Sequence, residues 1–104
     1  MFARVTTFQG DPDSVDGPIR FPVREASQGV KELPGFLAMF DFADRDTGRA
    51  MVVTLWETKE ARDGSNEFAR DAIEKVVEAG GEQVLSVREY EVGHHIFSEG
   101  FRTS

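Results

Sequence analysis

The chain has no cysteine in its 104 residues, which removes disulfides, thiolate zinc sites, iron–sulfur clusters and a cysteine nucleophile together. Stability has to come from packing. Basic residues are scarce too: 12 Lys and Arg stand against 19 Asp and Glu, a net charge of −7, which repels phosphate backbones and anionic lipid headgroups. Nucleic acid and membrane surfaces drop out as expected partners. No apolar run approaches the roughly 18 residues of a membrane span. From Met1 to Asp11 apolar and polar residues alternate, unlike the basic-then-apolar opening of a secretory signal. A cytoplasmic chain starting near Met1 is the expectation. What the sequence does hold is 9 Phe, 39% apolar and 30% charged residues, the composition of one folded domain.

Residues 2–8 alternate Phe2, Arg4, Thr6 and Phe8 against Ala3, Val5 and Thr7, which predicts a first strand with two different faces. Asp11-Pro12 reads as an N-cap with proline at the first helical position. Val15, Ile19, Val23, Ala26, Val30 and Leu33 then keep to one helical face. Gly17-Pro18 and Phe21-Pro22 disfavour one rod, so the expectation is an opening turn and a regular helix from about Pro22 to Leu33. Pro34-Gly35 stops it, and Phe36–Ala43 and Arg49–Trp56 read as an antiparallel pair around the polar loop Asp44–Gly48. Thr58 caps a short turn through Ala61, and Ser65 is the expected N-cap of a second helix running to about Glu78. Gly80-Gly81 ends that helix, Glu82–Val92 is the last strand, and 94–104 is a tail after a single domain spanning 1–93.

This order, β-α-β-β-α-β, is that of a ferredoxin-like α+β fold with a four-stranded antiparallel sheet and both crossover helices on one face. Right-handed crossovers put strands one and three in the centre. Strands two and three nevertheless carry large apolar groups on both faces, with Phe40 and Phe42 opposed to Leu37 and Met39, and Val52 and Trp56 opposed to Met51, Val53 and Leu55. Helices cover one face only, so the other is expected to meet a second copy of the chain in a homodimer built face to face.

Leu33-Pro34-Gly35-Phe36 between the first helix and second strand, and Leu55-Trp56-Glu57-Thr58 followed by Glu60-Ala61, resemble marks of the dimeric α+β barrel superfamily. Within it, the chain looks like the antibiotic biosynthesis monooxygenase-like group of small proteins, by order and length of elements over residues 2–93. The resemblance implies two sheets paired as a dimeric barrel and a ligand pocket between sheet and helices of each subunit. It also implies an activity range from cofactor-free oxygenases of polycyclic phenols to haem degradation. The haem-degrading branch shares Trp56 but uses an Asn on the first strand and a His on the second helix. Here the first strand has Thr6 and Thr7, and the second helix has no His. The oxygenase branch uses an amide on the third strand where this chain has Val52.

Trp56 is a candidate floor for a flat ligand, with its indole N–H as donor, or else a packing residue of the core or dimer interface. Arg4, Arg88 and Tyr90 stand on strands expected to be neighbours, with Arg88 and Tyr90 on one face. They are candidates to bind an enolate or phenolate oxygen, or an Arg among them to pair with a carboxylate across the dimer. His94 and His95, the only histidines, are candidate general bases. Being adjacent, they point apart in extended chain and do not chelate one metal; no metal site is expected. Glu60, Asp63, Glu67, Asp71, Glu74 and Glu78 read as a solvated helix face. No nucleophilic triad order, P-loop or dinucleotide glycine motif is present, since Gly10, Gly35, Gly48, Gly80 and Gly81 all punctuate elements.

Two functions compete. One is a cofactor-independent monooxygenase acting on a small aromatic or polyketide-like compound, with His94 or His95 as base, Arg88 and Tyr90 as donors and Trp56 as platform. The other is a noncatalytic homodimer that binds a small hydrophobic ligand or acts as a scaffold. A role with a protein partner would lean on Phe97 and Phe101 of the tail.

Overall fold

Alternation of small, β-branched and polar residues lets Phe2–Gly10 (β1) lie at the centre of the sheet, with antiparallel partners on both sides. A computed structural model of the chain describes residues 1–12 and 21–101. Its elements run β1, α1 (Phe21–Ala26), β2 (Phe36–Ala43), β3 (Arg49–Trp56), α2 (Lys59–Gly64), α3 (Asn66–Glu78) and β4 (Glu82–Glu91). The strand order β2-β3-β1-β4 puts strands one and three in the centre, as the handedness of crossovers requires. The fold is the ferredoxin-like β-α-β-β-α-β arrangement, with α2 and α3 together filling the second crossover.

Helix one is shorter than the apolar ladder predicts. It ends at Ala26, and Val30–Glu32 forms a single 3-10 turn. Gly29 between them takes a left-handed φ of 91°, a conformation that breaks the helix and costs glycine nothing sterically. The chain stays turned through bonds from Ser27 N–H to the Val23 carbonyl and from Val30 N–H to the Ser27 carbonyl. The opening turn expected between Asp11 and Phe21 lies largely outside the described residues. Thr58 caps α2 as expected, its hydroxyl accepting from Ala61 N–H at 3.0 Å.

Two bulges set which residues share a face. Leu37 is the extra residue where Phe36 pairs with Trp56 and Ala38 with Leu55. Leu85 is extra where Phe8 pairs with Val84 and Thr7 with Ser86. Each inserted residue reverses the simple alternation beyond it. The helix-covered face therefore carries Arg4, Thr6 and Phe8 of β1, Ala50, Val52, Thr54 and Trp56 of β3, and Met39 of β2. Phe8, Val23, Ala26, Ala50 and Val76 are its buried core, with Met39, Val52, Ala72 and Ile73 packed against them. The opposite face presents Phe40 and Phe42 of β2, Met51, Val53 and Leu55 of β3 and Tyr90 of β4. Phe42, Met51 and Tyr90 are exposed there. Among the described residues no helix is long and apolar enough to cross a membrane.

Candidate functional site

The helices do not close fully on the sheet. Between them lies a cavity of ≈ 70 Å³, large enough for several waters, each of which needs about 10–15 Å³. Its floor is the sheet, through Arg4, Thr6, Phe8, Val52, Thr54 and Trp56. Its roof is α1 and α3, through Val23, Ala26, Phe68, Ala72, Ile73 and Val76. Among the described residues the walls are apolar apart from Arg4 and the hydroxyls of Thr6, Ser27, Thr54 and Ser65, with no Asp, Glu or His.

Trp56 is buried to 1% exposure. Its ring meets Phe36 edge to face, 5.5 Å between centroids, a favoured aromatic geometry. The indole N–H donates to Thr54 Oγ1 at 2.9 Å. Trp56 therefore offers a ligand its ring, while the Thr54 hydroxyl, having accepted that bond, keeps its own proton to donate.

Arg4 is 4% exposed. Its Nη1 donates to Ser65 Oγ at 2.7 Å, and its Nη2 donates to the Arg62 carbonyl at 2.9 Å and to Asn66 Oδ1. These acceptors belong to the junction of α2 and α3, so the guanidinium ties the first strand to the second crossover. Ser65 was expected to cap α3; instead its hydroxyl donates to the Arg62 carbonyl at 2.6 Å and makes no cap bond. Behind Arg4, Arg62 is also buried, and it pairs with Glu89 at 3.0 Å and Asp63 at 3.2 Å. Arg62 further donates to the Tyr90 carbonyl at 3.2 Å. Burial pushes the Arg4 pKa below its ordinary value; Glu89 opposes that shift, Arg62 adds to it and Asp63 opposes it.

The structure thus brings Arg4 and Trp56 together at one cavity. It does not bring Arg88 and Tyr90 there: they stand opposite Val5 and Ala3, on the sheet face turned away from the helices. His94 and His95 follow β4 on the exposed tail, His95 beside Phe97 at 5.3 Å and Phe97 stacked on Phe101 at 5.6 Å. Sequence reasoning missed Thr54, Arg62, Ser65 and Asn66. A usable signal was the placing of Arg62, Ser65 and Asn66 within one helical turn of each other, on the side of the helical segment that turns to the sheet. Among the described residues no three His, Asp or Glu side chains are grouped to hold a metal ion.

A sheet backed by helices, with an apolar cavity between the two layers, defines a ferredoxin-like α+β fold. Solved structures share it closely. No family model matches the chain, and no curated protein does. One neighbour is a monooxygenase from the gene ActVA-Orf6 of Streptomyces coelicolor, in complex with nanaomycin D, with 22% identity and a TM-score of 0.64 over 94% of this chain and 92% of that one. A second is SnoaB, a cofactor-independent oxygenase from Streptomyces nogalater, with 14% identity and a TM-score of 0.65 over 91% and 95%. A third is the heme-degrader MhuD from Mycobacterium tuberculosis with two hemes in its active site, with 20% identity and a TM-score of 0.61 over 93% and 100%. At these identities the likeness is one of fold. The chain has the fold of the antibiotic biosynthesis monooxygenases.

Proposed function

We propose that the chain is a cofactor-independent monooxygenase of this fold, acting on a small aromatic or polyketide-like compound as a cytoplasmic homodimer. The observation that carries the reading is the apolar cavity between sheet and helices, lined by Trp56 and by the buried Arg4. Such chemistry asks little of the protein. An activated CH₂ beside a phenol becomes C=O, O₂ supplies that oxygen, and its second oxygen leaves as water with the two hydrogens. The substrate provides the electrons, and the site provides orientation, exclusion of water and a donor for developing negative charge. SnoaB, a cofactor-independent oxygenase, and the nanaomycin D held by the Streptomyces coelicolor enzyme support this class of ligand and reaction.

Haem, the ligand of the third neighbour, does not fit. The cavity offers it no imidazole, since both histidines stand on the exposed tail. The cavity volume of ≈ 70 Å³ is about half that of an apolar cavity that takes benzene, ~150 Å³. A ligand of one or more rings enters by displacing side chains, Met39 with its flexible thioether being the most yielding of the lining residues.

Tyr90 and Arg88 take a different part in this reading. Their face carries exposed Phe42 and Met51, an apolar surface of the kind that partners cover, and we assign it to the second copy, with Arg88 pairing a carboxylate across the dimer. The base role passes to His94 or His95 only if a second copy brings its tail to a cavity mouth. The absence of acid and base from the described cavity lining favours one rival, a noncatalytic binding protein. Oxygen uptake separates the two. With a panel of hydroxynaphthalenes and anthrones, the enzyme consumes one O₂ for each quinone formed. Saturable quenching of Trp56 with no oxygen consumed across the panel makes the chain a binder.

A further inference from the structure

Arg4 is a buried cation to which no carboxylate among the described residues is bonded, Glu89 and Asp63 acting on it only from a distance. Asp63 and Glu89 both sit on Arg62, while the groups that hold Arg4 are a hydroxyl, a carbonyl and an amide oxygen, all neutral. A guanidinium has five N–H donors. Three are used in those bonds, and the remaining two meet no acceptor among the described residues. The same side chain lines the cavity, whose other described lining residues hold no negative charge. In so apolar a surrounding a cation with free donors acts at long range, because little water screens it.

We propose that the cavity selects an anion: a small aromatic or enolic ligand whose ionised oxygen pairs with the free donors of Arg4 while its ring lies against Trp56. This deepens the preceding section and rests on its reading of the cavity as the ligand site. It also answers how a cavity with neither imidazole nor carboxylate among its described lining residues ionises a phenol. Pairing with Arg4 favours the phenolate, so the proton leaves to solvent as the ligand binds, and no base is needed inside. Thr54, whose hydroxyl proton is uncommitted, is placed to give the same oxygen a second bond.

The test uses the whole chain and two single-ring compounds of nearly one shape, 4-nitrophenol and 4-nitrotoluene. Quenching of Trp56 gives both affinities, and the visible absorbance of nitrophenolate gives the pKa of the bound phenol. Nitrophenolate is expected to bind roughly tenfold to hundredfold more tightly than nitrotoluene, the worth of one charge-assisted hydrogen bond. The bound phenol's pKa falls correspondingly, by about one to two units. In Arg4→Met both preferences vanish, and Arg4→Lys restores part of them; a merely structural Arg4 would leave the bound pKa unmoved. If Arg4→Met does not fold, the comparison on the unaltered protein decides. Equal affinity for the two compounds with an unshifted pKa overturns the anion site and leaves a neutral ligand cavity standing. Failure of both compounds to bind overturns the ligand reading and this inference together.

Discussion

Ser65 receives Arg4 and passes the bond on. Arg4 Nη1 donates to Ser65 Oγ at 2.7 Å, and that hydroxyl donates to the Arg62 carbonyl at 2.6 Å. Ser65 is 2% exposed and lines the cavity. Ser65→Ala therefore leaves a guanidinium N–H without its acceptor and deprives the Arg62 carbonyl of one donor. The expected loss is about 2 kcal/mol, read as a lowered urea midpoint with an unchanged slope.

Thr54, half-buried, and Trp56, buried, form a second bonded pair on β3. Thr54→Val keeps the shape of the side chain and removes the acceptor of the indole N–H. The expected cost is about 1–2 kcal/mol, with a shift of Trp56 emission to shorter wavelength as the excited indole loses its polar partner. An unchanged spectrum and midpoint would mean that the indole N–H finds another acceptor.

The β-strands were legible because each alternates over most of its length, and the order of elements then leaves few topologies. Pairings that depend on an extra residue were not legible. Leu37 and Leu85 look like ordinary members of alternating strands, yet each is a bulge, and only the partner strand reveals it. Arg88 and Tyr90 were placed correctly on one face with each other. Which face Arg4 shares depends on register across β1 and β4, and that register sets it opposite Glu89, on the other side from them. The apolar ladder that continued helix one to Leu33 could not register the single left-handed residue at Gly29 that ends it.

Gly35 shows where the Leu33–Phe36 segment is constrained. Its φ is 76°, and a Cβ there would stand 2.5 Å from the Cβ of Ala61, while its carbonyl accepts from Glu57 N–H at 2.8 Å. Gly35→Ala is expected to cost about 1–3 kcal/mol. Adding Ala61→Gly relieves the clash but not the left-handed backbone, so the double variant recovers only part of the thermal midpoint. Full recovery would show that sterics alone kept glycine here.

Asp44 gives the β2–β3 hairpin a dependence on pH. Its Oδ1 accepts from Asp46 N–H at 2.9 Å and Thr47 N–H at 3.4 Å. The Asp46 bond, then the Thr47 side chain, hold its pKa below the ordinary value, outweighing a small opposing effect of burial. A lowered folded pKa means that the stabilisation is complete above the unfolded aspartate value of about 4 and is lost as pH falls through the folded one. Urea midpoints measured down that range should fall more steeply for the native chain than for Asp44→Asn. Parallel curves would remove the loop carboxylate from the account of acid sensitivity.

Phe42 tests the proposed pairing of two sheets. It is 54% exposed, its ring stacks on Phe40 at 5.9 Å, and it stands opposite Met51 on the uncovered face. Within one chain it buries little, so Phe42→Asp should change the chain's own folding by less than about 1 kcal/mol. In a face-to-face dimer the same change puts a carboxylate into an apolar interface, and its desolvation opposes association. Light scattering should then give about twice 11.6 kDa for the native chain and a single-chain mass for Phe42→Asp. A native chain of single mass would leave this apolar face without a second copy and take Arg88 out of any bond across it.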